Sequence, residues 1–67
     1  MNISIIKTTE EKFEITITDG ENVIFNDTRY YNYMDEFLTD GEKINDTIQQ
    51  LSSLFGELTV VQNDFDI

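Results

Sequence analysis

Fourteen carboxylates, with no histidine and no cysteine, are the reactive inventory of this chain. A carboxyl pair can do acid and base work when burial raises one pKa and leaves the other group ionised. At this density, though, neighbours such as Glu10 with Glu11 or Asp35 with Glu36 are what chance provides. Ser4, Ser52 and Ser53 have no base beside them in the sequence, so no nucleophilic constellation can be assembled from the chain as written. Clustered oxygens also suggest calcium or magnesium. Neither DGEN at Asp19 nor TDGEKIND at Asp40 has the spacing of a calcium loop with its distant glutamate. The chain therefore reads as non-enzymatic, with no catalytic residue, no metal site and no cofactor.

What the carboxylates do supply is a field. Four basic residues leave a formal charge of −10 on 67 residues. Such a surface repels DNA, RNA and anionic lipid and draws basic protein surfaces from a distance. The competing explanation is that the acidity serves solubility alone. At 39% hydrophobic and 12% aromatic the sequence is too apolar for a disordered acidic tail, so a fold is expected. Its length allows one domain, 1–67, held by packing or association and not by disulfides. No run is long enough to span a membrane and the N-terminus lacks a basic leader, which points to the cytoplasm. The three Asn-X-Ser/Thr tripeptides, at Asn2, Asn26 and Asn45, are then chance matches.

Period-two alternation in Ile3, Ile5 and in Phe13, Ile15, Ile17 predicts two half-buried strands. A five-residue link from Thr8 to Lys12 sets Ile5 opposite Ile15 and Ile3 opposite Ile17. A three-residue turn Thr18, Asp19, Gly20 would then pair Ile15 with Val23 and Phe13 with Phe25, all on the inner face, with Ile24 outward. Asn26, Asp27 and Thr28 are expected to stop the third strand. Beyond them Tyr30, Tyr33, Met34, Phe37 and Leu38 follow helical spacing, although the tyrosines of RYYNYM also suit a strand. Thr39 and Glu42 form a capping box for a second helical piece, which buries Ile44, Ile48, Leu51 and Phe55 and ends at Gly56. Leu58 to Val61 reads as a short fourth strand, and Phe65 and Ile67 either extend it or belong to a frayed tail. The expected fold is α+β, in the order β-β-β-α-α-β. It has an antiparallel sheet and a helical segment in two pieces on one face.

On these elements the stretch Thr28 to Phe55 carries six of the fourteen carboxylates, counting Asp27 just before it. The residues predicted to bind a partner are Tyr31, Asn32, Asp35, Glu36, Asp40, Glu42 and Asp46, with Tyr31 as an aromatic anchor beside the charges. Asp40 and Glu42 also suit a helix N-terminus, whereas Asp35 and Glu36 near the end of the first helical piece have no such local reason. A one-residue error in helical phase would bury Tyr31 and expose Tyr30 or Tyr33 instead. Glu14, Asp19 and Glu21 on the hairpin form a secondary set. Outward Ile6 and Ile24, with Val61, could make an apolar strip on the far sheet face for a homodimer, the alternative being scattered surface aliphatics.

In size, acidity, lack of cysteine and mixed α and β content, the whole chain resembles the small acidic inhibitors of bacteriophages. These include anti-CRISPR proteins, uracil-DNA glycosylase inhibitors and antirestriction proteins. The resemblance implies a DNA mimic or inhibitor that occupies the basic nucleic-acid-binding surface of a host nuclease or repair protein. It implies no direct contact with nucleic acid. The alternative is a small structural or assembly protein whose charge only keeps it soluble.

Overall fold

The computed structural model describes residues 1–30, 32 and 36–65. Its elements are β1 (Asn2–Lys7), β2 (Lys12–Asp19), β3 (Asn22–Tyr30), α1 (Asp40–Phe55) and β4 (Thr59–Asn63). The four strands form one mixed sheet in the order β3-β2-β1-β4, antiparallel except for the β1–β4 pair. The class is the α+β class expected. Among the described residues there is one α-helix where the periodicity predicts two pieces, and the fourth strand joins in parallel.

The first hairpin follows the alternation. Ile3 faces Ile17 and Ile5 faces Ile15, and all four are fully buried. Thr8 and Thr9 close the link by donating their backbone N–H groups to Lys12 O at 3.2 and 3.3 Å.

The second hairpin corrects the expected register. Asp19 pairs with Asn22, so the turn is the two residues Gly20 and Glu21. Of these two, only Gly20 has a positive φ, 62°, which suits the glycine-first two-residue hairpin turn. In place of the expected Ile15–Val23 and Phe13–Phe25 pairs, Val23 lies opposite Thr18 and Phe25 opposite Ile17. The register shifts between Ile17 and Thr18, leaving Ile24 as the extra residue of a bulge. Val23 is consequently 62% exposed on the outer face, while Phe25 returns to the core side and meets Phe55 at 5.5 Å between ring centroids.

β3 also runs on past Asn26–Thr28, where a stop was expected. Asp27 pairs with Ile15, Arg29 with Phe13 and Tyr30 with Lys12. Tyr30 is therefore not on the buried face of a helix. It stands on the outer sheet face, 41% exposed, with the Lys12 ammonium 5.7 Å from its ring centroid. The sheet pairing gains backbone hydrogen bonds with β2 along a segment that includes the β-favouring Thr28 and Tyr30, and at Tyr30 this outweighs the helical spacing. Phe37, expected on the buried helical face, is 89% exposed, and Leu38 is half-buried. Tyr31, Tyr33, Met34, Asp35 and Ile67 lie outside the described residues, so the part of the first helical piece that rests on them does too.

α1 forms as its sequence predicts. Thr39 Oγ1 accepts from Glu42 N at 3.2 Å and donates to Glu42 Oε1 at 2.9 Å, closing the capping box through the carboxylate. Ile44 and Leu51 are buried against β1 and β2, with Ile48 and Phe55 partly buried beside them. Thr47 is also buried and donates its hydroxyl to Lys43 O at 2.9 Å, which satisfies it within the helix. Gly56 ends the helix at φ 93°, its N–H on Ser52 O at 2.9 Å.

β4 then brings Thr59 beside Asn2 and Val60 beside Ile3. Phe65 does not fray. It folds back to meet Phe13 edge-on at 5.9 Å, held by its N–H on Asn63 Oδ1 at 3.0 Å.

Candidate protein-docking surface

The start of α1 gathers most of the described residues of the predicted site. Thr39 sets the helix origin, which fixes Asp40 and Glu42 in the first turn and Asp46 one turn further on. Glu42 and Asp46 lie about 6 Å apart along the helix axis. Glu36 is exposed in the turn before the helix, and Asn32 is exposed just beyond β3. Tyr31 and Asp35 lie outside the described residues. Asp40, Glu42 and Asp46 are all exposed.

Their chemical states differ. Glu42 is engaged by the Thr39 hydroxyl, and Asp46 Oδ2 accepts from Gln50 Nε2 at 3.0 Å. Both remain solvent-facing acceptors. Asp40 and Glu42 are placed where the helix dipole favours anions, so their presence stabilises the helix whether or not anything binds.

The secondary set is split. Glu14 stands half-buried on the outer sheet face, where the Asn26 side chain donates to it at 3.3 Å and to Thr16 Oγ1 at 3.0 Å. Asp19 and Glu21 are exposed at the β2–β3 turn, which the topology places at the other end of the sheet from the start of α1. The carboxylates thus form a field spread over the molecule with a local concentration at the helix start.

Several groups escape the sequence patterns. Asp27 and Arg29 occupy core-side positions of β3 and form the one ion pair among the described residues, Arg29 Nε to Asp27 Oδ2 at 3.0 Å. As a partly exposed pair it contributes at most about 1 kcal/mol. Its charges nevertheless face inward on an edge strand, a placement that discourages edge-to-edge association. Alternation through Phe25, Asp27, Arg29 carries this signal once β3 is given its full length. Lys43 is also buried, at the side of α1 that Thr47 shares. Asp64, just after β4, accepts from Lys7 N at 2.8 Å and from Gln62 Nε2 at 3.2 Å. The backbone N–H of Lys7 is the larger influence and Gln62 the smaller; together they hold the Asp64 carboxyl below the usual aspartate range.

Comparison with known protein families, curated proteins and solved structures finds no match to this chain. The surface must be read from its own chemistry.

Among the described residues no three His, Cys, Asp or Glu side chains converge as a metal site, and no helix is long and apolar enough to cross a membrane. The outer sheet face carries cross-strand rows of short polar residues, such as Asn26, Thr16, Ser4 and Gln62. Ile24 and Val61 sit on the two opposite edge strands, roughly 14 Å apart at the usual strand spacing. Ile6, the third residue of the expected strip, lies on β1 opposite Glu14, and polar side chains separate it from the other two. A shallow groove of about 440 Å³ opens between α1 and β4, lined by Asn45, Ile48, Gln49, Val60 and Asn63.

Proposed function

We propose that this chain is a non-enzymatic acidic binding protein. It presents the start of α1 to the basic, nucleic-acid-binding surface of another protein, in the manner of phage-type inhibitors and DNA mimics. One observation supports this reading above the others. Glu36, Asp40, Glu42 and Asp46 are exposed together around one helix end, in a chain whose single described ion pair draws on Asp27 alone. The excess charge is directed to solvent, where it accelerates association with a cationic partner and selects against anionic ones. Tyr31, Asn32 and Asp35, next to these groups in sequence, complete the proposed surface.

The test uses the whole chain as bait in a bacterial lysate, with the captured protein then purified and its binding titrated across salt. The variant Glu36→Gln/Asp40→Asn/Asp46→Asn spares Glu42, because that residue caps the helix. The reading expects the variant to bind more weakly, with a shallower salt dependence, and to release the partner's nucleic-acid site. Unchanged affinity and unchanged salt slope would rule it out.

A further inference from the structure

We infer that the open edge of β4, with the α1–β4 groove beside it, is a second docking element. It would take an extended segment of a partner protein that carries an aliphatic residue between two basic ones. The inference rests on the proposed preference for basic partners and adds where and in what conformation such a partner is held.

Three observations converge on this edge. First, among the described residues no strand pairs with its outer backbone. Thr59 donates its N–H to Met1 O at 2.9 Å and Asp64 donates to Ile5 O at 3.1 Å, so these two residues face β1. The β1–β4 register shifts between Ile3 and Ser4, leaving Val61 as an extra, bulged residue of β4. Alternation on either side of that bulge turns the backbone groups of Val60 and of Asn63 the other way, toward the side where the sheet order ends. Second, the side chains of those same two residues line the groove, with Ile48, Asn45 and Gln49 opposite on α1. An added strand would gain main-chain hydrogen bonds at β4 while its alternate side chains enter a groove of apolar and amide groups. Third, the edge is bracketed by acid. Glu57 precedes β4 and Asp64 follows it, both exposed and roughly 20 Å apart in extended chain; Asp64 also accepts from Lys7 N on the β1 side and stays a solvent-facing anion, and no described groove-lining residue is charged.

That pattern selects the occupant. A second copy of this chain would bring ten negative charges against ten, and its own β4 ends in the same two carboxylates. A cationic segment with an apolar centre meets charge at both ends and the groove in the middle. β3, the other edge, is the poorer template because Asp27 and Arg29 face inward there.

The probe is a capped nonapeptide of alternating valine and threonine with a lysine at each end, titrated into the isotopically labelled 67-residue chain and followed by amide chemical shifts. Two control peptides carry glutamate in place of both lysines, or N-methyl groups on alternate amides. The expected result is saturable shifts centred on Val60 and Asn63, with affinity at least about tenfold weaker for each control and for the exposed-site variant Val60→Asn. A melt of Val60→Asn confirms that it remains folded. Shifts confined to Glu36–Asp46 would overturn the strand-addition inference while leaving the acidic-surface reading intact. Equal binding of the N-methylated peptide would overturn it as well. Binding at β4 that ignores the lysine-to-glutamate exchange would instead refute the shared premise of a basic partner.

Discussion

The capping box at the start of α1 offers the most direct check on how structure and binding are divided among the carboxylates. The Thr39 hydroxyl is used twice, accepting from Glu42 N at 3.2 Å and donating to Glu42 Oε1 at 2.9 Å. Thr39→Ala removes both contacts and leaves an N–H at the helix end to water. An N-cap loss of this kind costs about 1 kcal/mol. For a domain of this size the Tm should fall by roughly 4–8 °C. The whole fold is worth only about 3–10 kcal/mol at typical values per residue, so the loss is a visible fraction. Glu42→Ala should cost about 0.5–1 kcal/mol through the lost contact and the lost anion at the helix N-terminus. Because the two side chains touch, the double variant should cost less than the two single losses added, by about 0.5 kcal/mol. Urea unfolding of the four proteins measures this coupling, and Thr39→Ser should restore most of the stability. Additivity within about 0.3 kcal/mol would refute the hydroxyl–carboxylate contact and leave Glu42 only its contribution as an anion at the helix N-terminus.

Other outcomes follow from the same geometry. Leu51→Ala should cost about 2–5 kcal/mol and Leu54→Ala less than about 0.5 kcal/mol in urea unfolding, since Leu51 is 2% and Leu54 78% exposed on one helix. Gly56→Ala should cost about 1–3 kcal/mol by strain and not by collision: φ is 93° with ψ −166°, and the nearest atom a methyl group would meet is Met1 Cε at 4.0 Å. Because its carboxyl is depressed in the folded state, Asp64 adds stability at pH values above the ordinary aspartate range, and the contribution is lost as pH falls through the lowered midpoint. Carbon-detected titration should place Asp64 below the other exposed aspartates, and Asp64→Ala should flatten the acid limb of the stability profile. Finally, a formal charge of −10 predicts a Tm that rises when sodium chloride is added, through screened self-repulsion, and a fall would contradict it.

The first hairpin and α1 were legible because each has two independent local signals that agree. In β1–β2 the alternation of Ile3, Ile5 with Ile15, Ile17 and the length of the link require the same register. In α1 the Thr39–Glu42 box, the spacing of Ile44, Ile48, Leu51 and Phe55, and Gly56 mark start, face and end. The second hairpin has no such agreement. Val23 and Phe25 are two apart, so strict alternation puts them on one face, and only an extra residue at Ile24 separates them. Nothing in VIF announces that bulge. The overrun of β3 was hidden for a related reason: α1 covers β1 and β2 and leaves the edge strand thinly covered, so core-side positions 27 and 29 accept Asp and Arg. A pattern that equates inward with apolar ends at Phe25 and misses the two inward positions before the strand stops at Tyr30. For the candidate site, the helix-start carboxylates could be placed from the cap alone. The β4 groove could not, because it depends on which edge β4 joins.

That choice follows from strand direction and edge chemistry together. With β1, β2 and β3 antiparallel, β3 runs in the direction of β1, and these two own the free edges of the three-stranded sheet. A single helical return brings the next strand back in that same direction, so β4 must pair in parallel at whichever edge it joins. An antiparallel fourth strand would have needed a second reversal, which one helix does not supply. Of the two edges, β3 offers core-side Asp27 and Arg29, while β1 offers buried Ile3 and Ile5. Joining β1 sets Val60 beside Ile3 and lets Phe65 close over Phe13, burying apolar surface that the β3 edge could not provide. The same step leaves the charged strand at one margin and sets β4, with uncharged groove side chains and an acid at each end, at the other.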